Sequence, residues 1–373
     1  MPVSDTTASF SAAPDPLARI RRDVQGMHAY AVQDAAGLIK LDAMENPYTL
    51  PPELARALGE RLARVKINRY PGPCLDDLKA ALHAYAQPPA GWSLMLGNGS
   101  DELIGLLAMA CDVPGASILA PTPSFVMYAM SAHLQGLAFH GVPLTANFEL
   151  DEAAMLAAIA AHRPALLYLA HPNNPTANLW DAGAMARLIA AQTAQGGIAV
   201  IDEAYQPFAA HSWIERVRAD PARAHGVLIL RTLSKFGLAG VRIGYLMGAA
   251  PIIEQIDKVR PPYNVSVLNA ECALFALEHA DEYARQAEQV KAERARLLAA
   301  LARMPGVTAY PSQANMILAR VPDAARVFDG MKARGVLVKN VSKMHPLLAN
   351  CLRLSVGTAD ENTQMLAALQ ASL

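Results

Sequence analysis

The chain is poor in the residues that build disulfide frameworks and metal sites. Only four of its 373 residues are cysteines, and no two of them stand in a Cys-x-x-Cys spacing. The ten histidines form neither a His-x-x-x-His nor a His-Glu-x-x-His pattern. The sequence therefore predicts buried thiols in a reducing compartment, with no disulfide and no bound metal.

The chain also has little charge and no long apolar run. Charged residues make up 17% of the sequence, the net charge is −1, and no cluster of lysine and arginine stands out. This balance argues against nucleic acid or a membrane surface as a partner. No segment approaches the ~20 apolar residues of a membrane span. We expect a cytoplasmic protein with a disordered segment at residues 1–16, rather than a signal peptide.

Apolar residues are abundant, at 53% of the chain. Such an excess is consistent with a large subunit interface, and we expect a homodimer. Between residues 93 and 248, short apolar runs alternate with segments of helical periodicity, which is typical of a parallel sheet covered by helices on both faces. The predicted strands are Ser93–Leu96, Ala116–Ala120, Ala165–Ala170, Ile198–Ile201 and Val227–Leu230, and two predicted helices are Leu103–Cys111 and Asp181–Gln195.

The pattern changes after Tyr263. A long helical segment over about 267–304 precedes shorter strand-like runs at Met316–Arg320, Val336–Lys339 and Leu352–Val356. The predicted fold class is α/β, with a large domain built on a mostly parallel sheet and a smaller α/β domain at the C-terminus. We place the large domain at 45–266 and the small domain at 267–373, with residues 17–44 joining the small domain.

The most informative segment runs from Thr232 to Gly244. An apolar run leads into Ser234 and Lys235, and Arg242 follows seven residues after the lysine. A lysine can form a Schiff base with an aldehyde, while hydroxyls and a guanidinium bind phosphate. The cofactor that requires both is pyridoxal 5′-phosphate. Taken alone, a Ser-Lys pair is more often the end of a strand with a surface lysine.

Two further strand ends supply what the same cofactor needs. Asp202 ends an apolar run, and a carboxylate there can keep a pyridine nitrogen protonated, so that the ring accepts electrons. Asn174 lies in the turn after another predicted strand, and both it and Tyr205 can donate a hydrogen bond to the phenolate oxygen of the ring. Singly, Asp202 could be a helix cap and Asn174 a turn residue; together they point to one site.

The chain resembles the fold-type I, pyridoxal-phosphate-dependent aminotransferases, and among them the histidinol-phosphate aminotransferases. The resemblance extends from about Arg21 to the C-terminus. One position departs from it, since Ala177 stands where the family usually has glycine. The matching segments are Leu41–Pro47, Asn68–Pro71, Gly97–Glu102, Asn173–Thr176, Asp202–Tyr205, Ser234–Arg242 and Leu352–Thr358.

The resemblance implies how the cofactor is held. Its phosphate would bind at Gly97–Glu102, which precedes a helix; a dinucleotide site is excluded because the Gly-x-Gly-x-x-Gly pattern ends in Glu102. The aromatic that stacks on the ring would be Phe125, which could equally be a core residue, and Tyr128 fits that position less well. Tyr70 would reach the cofactor of the neighbouring subunit, although it could be an ordinary turn tyrosine. The residues expected to bind the phosphate are Ser100, Asp101, Ser234, Arg242 and, more weakly, Thr232.

The resemblance also implies the reaction and the substrate contacts. Lys235, Asp202 and Tyr205 would be catalytic in transamination between histidinol phosphate and 2-oxoglutarate, a step of histidine biosynthesis. Arg353 would bind the anionic group of the substrate, although an arginine at a strand edge is usually a surface residue. The remaining candidates for substrate binding are Lys339, where the family often has a second arginine, and Tyr30, which could equally serve packing.

Three alternatives remain open from the sequence. The same scaffold carries aromatic amino-acid aminotransferases and threonine-phosphate decarboxylases. A third alternative is a regulator that keeps the fold but has lost catalysis. The presence of both Lys235 and Asp202 argues against that one, because a non-catalytic protein would require neither.

Overall fold

Residues 15–27 and 33–373 are described in a computed structural model of the chain. The described residues up to Asp34 belong to one compact unit, and residues 35–373 form a second, much larger one. In the small unit, a 3-10 turn at Pro16–Arg19 begins at Asp15, whose carboxylate accepts the amide of Leu17, and is followed by a single helical turn. Most of the segment predicted to be disordered, up to residue 14, lies outside the described residues.

The described residues form the following strands and helices. The strands are β1 Ile39–Lys40, β2 Trp92–Gly97, β3 Ser117–Thr122, β4 Ala138–Pro143, β5 Leu166–Ala170, β6 Ile198–Asp202, β7 Val227–Thr232, β8 Gly244–Ala249, β9 Thr308–Ala309, β10 Met316–Arg320, β11 Val336–Leu337, β12 Lys339–Asn340 and β13 Cys351–Ser355. The helices are α1 Arg22–Gln25, α2 Pro52–Leu62, α3 Pro73–Ala86, α4 Ser100–Ala110, α5 Met127–Gln135, α6 Glu152–His162, α7 Ala182–Ala194, α8 Trp213–Ala219, α9 Ala250–Asp257, α10 Val267–Glu278, α11 Ala280–Leu301, α12 Ala324–Ala333 and α13 Ala359–Gln370.

The large sheet has the strand order β2-β8-β7-β6-β5-β3-β4. Strand β8 runs antiparallel to both of its neighbours, and the other pairings are parallel. Successive side chains of the central strands enter two different cores: Leu167 and Leu169 pack on one face of the sheet, whereas Leu166 and Tyr168 pack on the other. A strand buried on both faces needs a continuous apolar run, which is the pattern that the sequence shows.

All five strands predicted for this region are present, with ends that differ by no more than about two residues. The sequence analysis missed β4 and β8. Strand β4 lies at the edge of the sheet and contains a glycine and a proline, while β8 begins at Gly244 and also contains Gly248. Both compositions are unfavourable for strands when the sequence is considered alone, and pairing with a neighbouring strand overrides this preference.

A second, antiparallel sheet near the C-terminus has the order β12-β13-β10-β9. The prediction of a single strand at Val336–Lys339 was wrong, because this segment is divided between two strands. Strand β11 pairs with β1 from the N-terminal part of the chain, whereas β12 pairs with β13. The long helix predicted over 267–304 is two helices that meet at His279, where the backbone leaves the helical conformation. Strand β13 is an inner strand, so Arg353 does not lie at a sheet edge.

The predicted fold class is confirmed: a mostly parallel sheet lies between helices, and a smaller sheet follows it in the C-terminal part. The division at 45–266 and 267–373 remains a prediction, since residues 35–373 form one compact unit. Within the described ranges, no helix is both long enough and apolar enough to cross a membrane.

Candidate active site

A cavity of about 350 Å³ opens at the carboxyl ends of β5, β6 and β7. This is where parallel α/β sheets usually bind ligands, because strand ends and helix starts leave a crevice there. The residues from the sequence analysis that line it are Ser100, Asp101, Phe125, Tyr128, Asn174, Asp202, Tyr205, Thr232, Ser234, Lys235 and Arg242. The tertiary structure therefore brings together residues that lie more than 140 positions apart in the chain.

Lys235 lies in a short helical segment, Ser234–Leu238, that follows β7 and is kinked at Gly237. Its amine donates to the backbone oxygen of Ala43 at 3.1 Å and lies 5.9 Å from the centre of the Tyr205 ring. Burial, together with the positive charge of Arg353, lowers the pKa of this amine to about 8. The lowered pKa increases the neutral fraction of the amine near neutral pH, which makes Lys235 a suitable nucleophile and general base.

The turn after Lys235 is fixed by the next two residues. Phe236 stacks on Tyr283 with ring centres 4.5 Å apart. Gly237 adopts a φ of 138°, and a side chain there would approach Tyr283 to 2.8 Å. Glycine is therefore needed at this point, because the backbone conformation and the nearby ring both exclude a Cβ atom.

Asp202 ends β6 and is buried at the floor of the cavity. One carboxylate oxygen accepts the Tyr128 hydroxyl at 2.6 Å, and the other accepts the backbone amide of Ala204 at 3.0 Å. Burial raises the pKa of this carboxyl to about 6, while the two hydrogen bonds act in the opposite direction. The group stays ionised above that pH and can pair with a cationic ring nitrogen.

The opposite end of the cavity is built to hold an anion. Helix α4 begins at Ser100, so its N-terminus lines this end, where Arg242 donates to Ser234 Oγ at 3.3 Å. Arg242 also pairs with the Asp101 carboxylate at 3.5 Å. An anion would meet the backbone amide of Asp101 favourably and its carboxylate unfavourably. Gly99, with φ of 83°, lets the guanidinium approach, since a Cβ atom there would lie 2.6 Å from it.

Asn174 and Arg353 form a buried contact between the two sheets. The Arg353 guanidinium donates to Asn174 Oδ1 at 2.9 Å and to the backbone oxygen of Asp42 at 2.7 Å. Arg353 is 8% exposed. A guanidinium held in this way lies beside the cavity with its position fixed, which suits the binding of a carboxylate or phosphate.

Ala177, which stands where the family usually has glycine, adopts a backbone conformation that favours glycine. Ala177 has a φ of 63°, in the left-handed region, which costs an L-residue about 1–2 kcal/mol. Its methyl group is fully buried in the core beneath the C-terminal sheet, which offsets about 0.8 kcal/mol of that cost. The turn that carries Asn174 is therefore formed without glycine.

Among the described residues, three predicted ones do not line the cavity: Tyr70, Lys339 and Arg353, the last of which contacts the lining residue Asn174. Tyr70 is 78% exposed and stacks on Tyr263 with ring centres 4.4 Å apart. Lys339 lies directly opposite Arg353 in the antiparallel pair of β12 and β13, so both side chains project from the same face of that sheet. Tyr30 lies outside the described residues.

The structure adds two contributions that the sequence analysis did not identify. Tyr128, considered only as a poor stacking aromatic, binds Asp202. The backbone of Asp42 and Ala43 accepts hydrogen bonds from Arg353 and Lys235. Backbone acceptors carry no sequence signal. The spacing of Tyr128 three residues after Phe125 was the one signal available, since Phe125 lies in the turn just before α5 and its ring meets the Tyr128 ring edge to face.

These residues fit pyridoxal 5′-phosphate. The cavity offers a buried amine for an aldehyde, a carboxylate for a ring nitrogen and an anion site made of hydroxyls, amides and a guanidinium. Asp101 Oδ1 is buried in this cavity without a hydrogen-bond partner, which a hydrogen-bond donor or bound water would satisfy. Among the residues that the structure describes, no cluster of histidine, cysteine and carboxylate side chains could hold a metal ion.

Comparison with known proteins gives the family. The sequence profile of aminotransferase class I and II matches residues 36–369. A histidinol-phosphate aminotransferase from Acidovorax sp. (strain JS42) is 67% identical over 96% of this chain and 97% of its own length. A histidinol-phosphate aminotransferase from Sinorhizobium meliloti, solved in complex with pyridoxal-5′-phosphate, superposes with a TM-score of 0.79 at 24% identity, covering 97% of this chain and 98% of that one.

The fold alone does not distinguish the reactions of such proteins. The L-threonine-O-3-phosphate decarboxylase from Porphyromonas gingivalis also superposes, with a TM-score of 0.73 at 21% identity, over 89% of this chain and 98% of that one. The profile match and the high sequence identity to the Acidovorax protein do not depend on the structural similarity to the decarboxylase. They establish that this chain belongs to the class I and II aminotransferase family.

Proposed function

We propose that the protein is a pyridoxal-phosphate-dependent enzyme that transfers the amino group of histidinol phosphate to 2-oxoglutarate, in histidine biosynthesis. The observation that carries the proposal is one cavity that combines the amine of Lys235, the carboxylate of Asp202 and an anion site at Arg242. The 67% identity to the Acidovorax histidinol-phosphate aminotransferase supports the choice of substrate. The same role implies a cytoplasmic location.

Each side chain has a defined task in this reaction. Lys235 Nζ would hold the cofactor through its aldehyde and would act as the general base that removes the proton from the substrate carbon. When bound, the cofactor supplies a ring that accepts electrons from that carbon. Asp202 would keep the ring nitrogen protonated, while Tyr205 and Asn174 would donate hydrogen bonds to the ring oxygen. The cofactor phosphate would be held by Ser100, Asp101, Thr232, Ser234 and Arg242, and Phe125 would pack on the ring.

Arg353 accounts for the acceptance of two different anions. Histidinol phosphate has no α-carboxylate and presents a phosphate ester, whereas 2-oxoglutarate presents a carboxylate. A planar guanidinium forms paired hydrogen bonds with either group. Lys339 adds a second positive charge on the same face of the sheet, which favours the more highly charged phosphate. Tyr30 remains a candidate for the same group.

The active enzyme in this proposal is a homodimer. Tyr70 is one of the most exposed large hydrophobic side chains and lies outside its own cavity, stacked on the less exposed Tyr263. A large exposed aromatic pair is typical of an interaction surface. In a dimer, Tyr70 would complete the cofactor phosphate site of the other subunit, so each site would contain residues from two chains.

A comparison of amine donors tests the proposal. We expect the purified enzyme to convert histidinol phosphate in the presence of 2-oxoglutarate, with a kcat/KM well above those for phenylalanine and tyrosine. The control is Lys235→Ala, which should be inactive and should no longer be labelled by borohydride reduction of the bound cofactor. Faster reaction of phenylalanine or tyrosine would favour an aromatic aminotransferase. Release of carbon dioxide from threonine phosphate would favour the decarboxylase.

A further inference from the structure

The hydrogen bond between Tyr128 and Asp202 is placed where it can control the carboxylate on which the cofactor ring depends. Tyr128 is 1% exposed and lies on α5, whereas Asp202 ends β6, so the 2.6 Å contact joins two elements across the floor of the cavity. Among the described residues, the Tyr128 hydroxyl makes no other side-chain hydrogen bond. The phenol therefore serves Asp202 alone as a hydrogen-bond donor.

The Tyr128 ring is held in place on two sides. It stacks on Tyr168 with ring centres 4.4 Å apart and planes 9° from parallel, and the Phe125 ring meets its edge at 5.7 Å. An aromatic ring packed in this manner cannot rotate its hydroxyl away from the carboxylate. The Ala204 amide holds the second carboxylate oxygen at 3.0 Å, so both oxygens are fixed and the plane of the carboxylate is set.

We infer that Tyr128 is a positioning residue, which orients the Asp202 carboxylate and stabilises its ionised form so that it can pair with the cofactor ring nitrogen. The inference rests on the proposed cofactor and not on the identity of the amine donor. A phenol that donates to a carboxylate favours the charged form. This effect opposes burial and the nearby carboxylates of Asp101 and Glu203, all of which favour the neutral acid.

Tyr168 provides a matched control. It is fully buried, belongs to the same stacked pair and has a hydroxyl without a hydrogen-bond partner. Tyr128→Phe and Tyr168→Phe therefore each remove one buried hydroxyl from the same aromatic pair, and only the first removes a contact with Asp202. Any effect that comes from packing alone should be the same in both variants.

The first measurement uses the full-length protein without cofactor, so that it does not depend on activity. The proton equilibrium of the Asp202 carboxyl is followed by NMR of the 13C-labelled aspartates, and its signal is assigned by its loss in Asp202→Asn. Tyr128→Phe should move the Asp202 titration to higher pH, and Tyr168→Phe should leave it unchanged. Equal titration of the two variants would overturn the inference.

The second measurement uses the enzyme with cofactor and a saturating amine donor. Tyr128→Phe should lower kcat by about tenfold to a hundredfold, the effect of losing one hydrogen bond to a charged group. The acid limb of its pH profile should move upward, and KM should change little. Tyr168→Phe should match the wild type. Because Tyr128 acts through Asp202, Tyr128→Phe should cost nothing further in an Asp202→Asn background. The same loss in that background would refute the inference.

The two measurements separate this inference from the proposed function. If histidinol phosphate proved not to be the donor, the titration of the cofactor-free protein would still report on Tyr128, and any donor that reacts would serve for the kinetics. If instead both variants behaved as the wild type while histidinol phosphate reacted well, the role of Tyr128 would be wrong and the proposed function would stand.

Discussion

The buried amine of Lys235 should make the cofactor-free protein less stable than it would be with an uncharged side chain. Burial beside Arg353 and Arg242 lowers the pKa of this lysine from 10.5 to about 8. Since a tenfold change in proton affinity corresponds to about 1.4 kcal/mol, the full penalty is about 3 kcal/mol. The side chain is partly open to the cavity, and hydration reduces this penalty, so we expect about 1–3 kcal/mol.

The pH dependence of this penalty has a defined sign. Below pH 8 the amine is protonated in both the folded and the unfolded state. The folded state then carries the whole cost, because it binds the proton less tightly than the unfolded chain does. Between pH 8 and 10.5 the folded state has released its proton while the unfolded chain has kept it, so the cost decreases as pH rises. Above pH 10.5 the amine is neutral in both states and the cost is gone.

Lys235→Met tests this reasoning, because methionine fills similar space without a charge. At pH 7 the cofactor-free variant should unfold with a free energy about 1–2 kcal/mol higher than the wild type, after loss of the hydrogen bond to Ala43. The advantage should disappear by about pH 10.5. The measurement is denaturant unfolding at several pH values and one protein concentration, with the exposed Lys332→Met as control. A difference independent of pH, or a variant less stable at pH 7, would refute the reasoning.

Three further predictions concern the other residues of the site. Asp202→Asn should keep the cofactor bound but slow the first half-reaction by about a hundredfold to a thousandfold, because the ring nitrogen loses its charged partner; a near-normal single-turnover rate would leave Asp202 as a structural residue. Inactive Lys235→Ala and Tyr70→Phe subunits, when mixed, should recover activity as hybrid dimers with one intact site, and lack of recovery after confirmed exchange would exclude a shared site. Arg353→Ala should impair both half-reactions, whereas Lys339→Ala should weaken histidinol phosphate binding by ~1–3 kcal/mol and spare 2-oxoglutarate; equal losses for both substrates would contradict a phosphate-specific role of Lys339.

The sequence indicated the central strands of the large sheet and the residues at their ends. Strands buried on both faces require continuous apolar runs, and Asn174, Asp202 and Lys235 each follow such a run. Parallel strands bring their carboxyl ends to one edge of the sheet, so the meeting of these residues follows from topology. The edge strand β4 and the glycine-containing β8 were missed, because strand pairing and not local composition determines them.

Only the tertiary structure shows which hydrogen bonds and which burial shift the pKa values of the site residues. Nothing in the local sequence indicates that Tyr128 donates to Asp202, that Arg353 reaches Asn174 from another sheet, or that the backbone of Ala43 accepts the Lys235 amine. These contacts join segments that are 74 to 192 residues apart. A residue pattern reports which chemical groups a chain carries and which face of an element they occupy. The burial and the hydrogen bonds that set the pKa values of those groups depend on neighbours that only folding brings together.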